Sequence, residues 1–156
     1  MFKRFILCLL VPFLFSSCGE SVYLDMSGVH CELDKITASY QKGENITLSY
    51  YGSFGDSSDT GSVGMYFCVY KIIEGERESL QKITFGSDKV SAYHGYDGEY
   101  YVDIKKNEKL TEFNDSIILS ISKAGNYELL IGIDGYSEKH PYGGLKDFTF
   151  PIKITE

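Results

Sequence analysis

In Asn126-Tyr127-Glu128-Leu129-Leu130-Ile131-Gly132-Ile133, the side chains of Tyr127, Leu129, Ile131 and Ile133 fall on one side of an extended chain. Period-two alternation of this kind marks a strand with one face in a core. Working outward, residues 134–146 carry Gly135, His140-Pro141 and Gly143-Gly144 and read as a loop. Beyond them, Asp147 to Thr155 places Phe148, Phe150, Ile152 and Ile154 on one face. Pro151 falls on the other side and has no amide hydrogen, which predicts an edge strand or a bulge there. Towards the N-terminus the predicted strands are Ser116 to Ser122, Tyr100 to Ile104, Ser79 to Phe85, Met65 to Ile73, Ile46 to Tyr51 and Val29 to Tyr40. Gly52 to Gly64, rich in glycine and serine, is predicted to be a loop. No window carries a helical stripe; Glu74 to Lys82 is the nearest and is short and charged. Strands separated by Gly, Asn, Asp and Ser at this spacing predict an all-β sandwich or barrel.

The step into the opening stretch narrows that choice. Ala124-Gly125-Asn126-Tyr127-Glu128-Leu129 resembles the Gly-x-Tyr entry to strand F of immunoglobulin-like domains. The resemblance implies an antiparallel β-sandwich of seven to nine strands, with the Tyr127 hydroxyl tied back to the preceding corner and Leu129 in the core. Leu129 stands where antibody domains have their second bridging cysteine, and the chain has no tryptophan, so the likeness is to the broad immunoglobulin-like class. In such a fold, Gly52–Gly64 and Asp134–Lys146 join B to C and F to G and project from the same end.

The chain begins with a different chemistry. Met1-Phe2-Lys3-Arg4 is a basic start, and Phe5 to Phe15 is an almost unbroken apolar run. A membrane-spanning helix needs about 20 apolar residues, so the run fits the central region of a cleaved signal peptide. Phe15-Ser16-Ser17-Cys18 resembles the lipobox of bacterial lipoproteins. The usual leucine three positions before the cysteine is replaced here by Phe15, with Leu14 one residue further out. The resemblance implies cleavage after Ser17 and acylation (palmitate among the chains) of Cys18, hence a membrane partner reached through lipid. Gly19 after the cysteine leans towards the outer membrane of a bacterial envelope. The expected division is residues 1–17 as leader, 18–29 as lipidated tether and 30–156 as the domain, although Val22, Tyr23 and Leu24 could pack.

Once Lys3 and Arg4 leave with the leader, 15 basic residues become 13 against 22 acids, a net charge of about −9. Charge of that sign and the absence of a Lys/Arg cluster argue against nucleic-acid binding. Cys31 and Cys68 are the two cysteines left without a role in an exported chain; they read either as a disulfide or as two buried free thiols. They show no C-x-x-C spacing, and the sequence points to no metal and no cofactor.

No nucleophile elbow, P-loop, H-E-x-x-H or EF-hand loop occurs, so a catalytic function is not expected. His30, His94 and His140 lie in separate segments. The acid pairs Asp56/Asp59 and Asp97/Glu99 read as loop-solvating carboxylates. The distinguishing feature is thirteen tyrosines. Tyr93 and Tyr96 cluster with Tyr100 and Tyr101, and Tyr136 and Tyr142 lie in the loop before the last strand. Tyrosine suits wet binding surfaces because it joins an apolar face to a polar tip. Tyr93, Tyr96, Tyr136 and Tyr142 are therefore the candidate ligand-binding residues. The first reading is a non-enzymatic envelope module that binds a protein or forms part of an assembly; the second is glycan binding through the tyrosine loops. A third follows from a faint similarity to the chagasin class of protease inhibitors, with His140-Pro141-Tyr142 in the last loop. That family's Asn-Pro-Thr-Thr-Gly loop is replaced by Ser58-Asp59-Thr60-Gly61.

Overall fold

A computed structural model describes residues 23–54, 59–86, 89–93 and 98–156. Cys18, the leader, Asp56, His94, Tyr96 and Asp97 lie outside the described residues. The described chain forms eleven strands: β1 Val29–Leu33, β2 Ser39–Gln41, β3 Ile46–Gly52, β4 Thr60–Ile73, β5 Glu76–Leu80, β6 Thr84–Phe85, β7 Val90–Ala92, β8 Glu99–Lys109, β9 Phe113–Ser120, β10 Gly125–Ser137 and β11 Gly144–Thr155. One sheet has the order β1-β3-β9-β6; the other runs β2-β11-β10-β4-β8-β7, with β5 paired to β4. All pairs are antiparallel except β2 with β11, which is parallel. Here β3, β4, β10 and β11 occupy the B, C, F and G places of an immunoglobulin-like sandwich, and β2 joins G in parallel at the margin.

The two inner faces meet in one core. Ile46, Leu48, Ile117 and Leu119 face Met65, Val69, Leu129 and Ile133, all at 0% exposure. Alternation along β10 buries Tyr127, Leu129, Ile131 and Ile133, as expected from sequence. The Tyr127 hydroxyl donates to the Lys123 carbonyl at 2.8 Å, which closes the tyrosine corner. Gly125 opens the strand at φ +151°, a backbone region that residues with a Cβ avoid.

Several boundaries differ from the sequence reading. Residues 134–146 are mostly strand: β10 runs on to Ser137 and β11 starts at Gly144, so the connecting loop is residues 138–143. Glycines that look like loop punctuation stand in the sheet where side chains cross it. The expected loop 52–64 likewise gives up residues 60–64 to β4. Glu74 and Gly75 both take positive φ, 52° and 90°, which makes Glu74 to Lys82 the return arm of a tight hairpin. Expected strands 29–40 and 79–85 are each broken in two, which raises the number above nine. Pro151 sits at a locally unpaired edge, as predicted: the Lys153 amide donates to Ala38, so the amide position of Pro151 points to the same side, outside the stretch 153–155 that β2 pairs with.

The Cys31–Cys68 bridge is not formed. Both are free thiols. Cys31 lies on β1 of the smaller sheet and faces the core, whereas Cys68 alternates with the core residues Phe67 and Val69 and faces outward from the larger sheet. Parity alone separates them. Burial pushes the Cys31 thiol up to about 12, and burial also raises Cys68.

The folded domain starts before residue 30. Leu24 and Met26 are 8% and 6% exposed, and the Leu24 amide donates to the Gly143 carbonyl at 2.9 Å. This segment lies against β11 because Gly144 has no side chain: a Cβ there would stand 2.3 Å from the Leu24 carbonyl oxygen.

Candidate functional site

The outer face of the larger sheet gathers the tyrosines. Even-numbered residues of β4 and β10 point outward, opposite the core set, which places Tyr66 and Tyr136 on this face. Tyr66 lies across Gly132 of the neighbouring strand, where a Cβ would stand 2.1 Å from its ring. Tyr101 covers Gly64 in the same manner, its hydroxyl 2.0 Å from a Cβ placed there. Each glycine leaves a flat bed, and each ring shields the bare backbone beside it. Tyr93 then bridges the two, with ring centroids 6.2 Å from Tyr66 and 5.9 Å from Tyr101.

Burial, together with Asp134 and Asp103, raises the Tyr101 phenol to about 12, and Tyr66 is raised by burial and by Asp147 and Asp134. The hydroxyls, neutral at physiological pH like any phenol, stay protonated further into alkali. Tyr66, Phe67, Cys68, Tyr93, Glu99 and Tyr100 enclose a mostly apolar cavity of about 230 Å³ at one end of this row. Tyr100 faces the opposite way to Tyr101 and packs on Phe85 and Phe67 in the core.

A second aromatic group lies at the end of the sandwich reached by the 53–59 and 138–143 connections. Tyr23, Tyr136 and Tyr142, with Asp134, Pro141 and Leu145, line an open groove of about 480 Å³. The Tyr23 and Tyr142 rings are 5.9 Å apart. The expectation that the B–C and F–G loops share one end is met: the Glu138 amide donates to the Thr60 carbonyl, and Asp59 meets Ser137 and His140.

That last meeting brings serine, histidine and aspartate together. His140 Nδ1 lies 3.0 Å from Ser137 Oγ and 3.3 Å from Asp59 Oδ2, and the His140 amide donates to the same Oγ. A catalytic triad needs the acid and the nucleophile on opposite ring nitrogens. Here both converge on Nδ1, so the group acts as a polar knot that ties the two loops. The Ser137 hydroxyl, followed by His140 and the Thr60 amide, holds the Asp59 carboxyl below the usual carboxylate range. A carboxyl lowered in the fold contributes stability above its unfolded value near 3.9, and the contribution is lost as pH falls through the folded value. The urea midpoint of the wild type is therefore expected to fall more steeply below about pH 4 than that of Asp59→Asn; parallel curves would exclude the knot as an acid-sensitive element.

Of the four tyrosines singled out from sequence, Tyr93 belongs to the sheet row and Tyr136 and Tyr142 to the end groove; Tyr96 lies outside the described residues. Tyr66, Tyr101 and Tyr23 complete the two groups. Tyr66 was accessible from parity, since it alternates with Met65 and Phe67, but the glycine beds opposite it were not. His30 stacks on Tyr51 on the outer side of the smaller sheet, 5.2 Å between centroids, whereas His140 follows β10 of the larger sheet. Glu99 borders the cavity, and no cluster of three metal-ligating side chains occurs among the described residues.

No protein-family model matches the sequence, and no curated protein matches it. Solved structures are similar in fold. A DUF4466 family protein from Parabacteroides merdae is 9% identical at a TM-score of 0.51, covering 87% of this chain and 46% of that one. PapD-like domain 7 of human CEP192 is 12% identical at 0.49, covering 99% of each chain. A cohesin module of a family 33 glycoside hydrolase from Clostridium perfringens is 14% identical at 0.46, covering 83% of this chain and 98% of that one. At these identities the likeness is one of fold alone; it is the two-sheet topology and strand order described above that make the chain an all-β, immunoglobulin-like sandwich.

Proposed function

We propose that this chain is a non-enzymatic module of the bacterial envelope, tethered through lipid on Cys18, that binds a protein partner with the tyrosine row on its larger sheet. The observation that carries the binding half is the Tyr66–Tyr93–Tyr101 row on its glycine beds. Rings already fixed in place lose little conformational freedom on binding, and half-buried tyrosines are frequent anchors at interfaces. The tethering half is supported by the basic start, the apolar run and Phe15-Ser16-Ser17-Cys18. Two acyl chains would hold the protein stably, since each buried methylene contributes about 0.8 kcal/mol.

The test uses the anchored full-length protein, cross-linked in the cell and recovered by affinity. A partner recovered with wild type and with Tyr51→Ala on the smaller sheet, but reduced about tenfold or more by Tyr93→Ala, supports the reading. Equal recovery with Tyr93→Ala overturns the assignment of the face. Cys18→Ala is expected to lose labelled palmitate and leave the membrane fraction; unchanged detergent partitioning would overturn the tether.

A further inference from the structure

We infer that the end groove formed by Tyr23, Tyr136, Tyr142 and Leu145 rests on the surface of the bilayer that holds the lipid, and so orients the domain. The inference rests on the proposed acylation of Cys18. Three observations converge on it. First, the described chain begins at this groove: Leu24 is hydrogen-bonded to Gly143, and Tyr23 lies against Tyr142. Five residue steps separate Cys18 from Tyr23, and an extended chain covers at most about 3.6 Å per residue, so Tyr23 lies within roughly 18 Å of the acylated cysteine.

Second, exposed large apolar side chains concentrate here. Eight occur among the described residues, and four belong to this corner: Tyr23 at 63%, Tyr136 at 55%, Tyr142 at 72% and Leu145 at 55%. The other four are dispersed over the rest of the sandwich. Third, the composition fits the boundary between headgroups and acyl chains. Tyrosine concentrates at that level because its ring is apolar and its hydroxyl is wet. Asp134 is the one charged residue lining the groove, and the chain as a whole is acidic. The contact is therefore aromatic, not electrostatic, and is expected to persist at high salt. With this end against the bilayer, the Tyr66–Tyr93–Tyr101 row stands on the flank, open to a partner beside the membrane.

The protein has no tryptophan, so a single introduced one is a unique reporter. Full-length Tyr142→Trp is compared with Ile36→Trp after reconstitution in phosphatidylcholine vesicles with and without brominated acyl chains. Ile36 is fully exposed and follows β1 at the opposite end of the sandwich. Tyr142→Trp is expected to lose about half its emission to brominated lipid, in high salt as in low, because an interfacial ring sits roughly 5–10 Å into the headgroup boundary. Ile36→Trp is expected to be unaffected. Tyr136→Trp provides a second reporter in the same groove.

If both groove reporters are unquenched while the protein floats with vesicles and Cys18→Ala does not, the tether stands and the inference is overturned; the groove is then free for a glycan or protein. Equal quenching of the groove and Ile36 reporters also overturns it, since the domain would have no preferred orientation. If wild type carries no acyl mass and does not float, the tether itself fails, and the inference falls with it.

Discussion

Tyr127→Ala is expected to lower the unfolding free energy by about 4 kcal/mol in urea titrations, the range for deleting a large buried aromatic side chain. Tyr127 is 1% exposed and stands at the head of the strand that pairs with both β4 and β11. Its ring fills the space below the corner, and its hydroxyl answers the Lys123 carbonyl. The two contributions separate experimentally. Tyr127→Phe keeps the ring and removes only the donor, and is expected to cost about 1 kcal/mol. If Phe costs as much as Ala, the hydrogen bond dominates; if neither moves the midpoint, the corner is not a structural element of this domain.

Gly61→Val is expected to cost roughly 3 kcal/mol, at the upper end of overpacking, and to act locally. A Cβ at Gly61 would stand 2.1 Å from the Tyr136 carbonyl oxygen and 2.9 Å from the Ser137 Cα. Both are backbone atoms of the adjacent strand, so no side-chain rotation relieves the contact. Separation of β4 from β10 at this point breaks the Asp59–Ser137–His140 knot, because Ser137 is the register partner of Gly61 and Asp59 lies two residues before it. Amide exchange in residues 134–146 is expected to accelerate, while the far end of β10, around Tyr127, keeps its protection. Uniform acceleration along β10 would show that this end is no independent unit.

These two substitutions also mark how far the sequence could be read. Tyr127 was legible because a turn followed by strict alternation is local information, carried by neighbouring residues. Gly61 was not. In sequence it sits among Gly52–Gly64 as one more loop glycine, and its reason for being glycine is a carbonyl seventy-five residues away. Gly132 and Gly64 are the same: each is a bed for a tyrosine on another strand, and both weaken the local signal for strand. The 134–146 region was misjudged on that account: Gly135 and Gly144 mark the approach of Leu24 and Met26 to the sheet, while Gly143, at φ +67°, does serve the turn.

The cysteines repeat the lesson. Counting left a bridge open; parity within β1 and β4 closes it, because one thiol faces the core and the other faces out. The candidate site divides similarly. Sequence singled out Tyr93, Tyr136 and Tyr142, but their grouping into a sheet row and an end groove depends on which strands are neighbours.

What the sequence determined alone is therefore what period-two alternation, turn residues and charge encode: an all-β chain, the strand with Tyr127 at its head and a net negative charge. Only the tertiary structure decided that Tyr23 and Leu24 dock beside Tyr142 and Gly143, that Tyr66 and Tyr101 lie on glycine beds, and that Asp59 meets His140. Those contacts join residues far apart in the chain, and pairing register fixes them where no local propensity can.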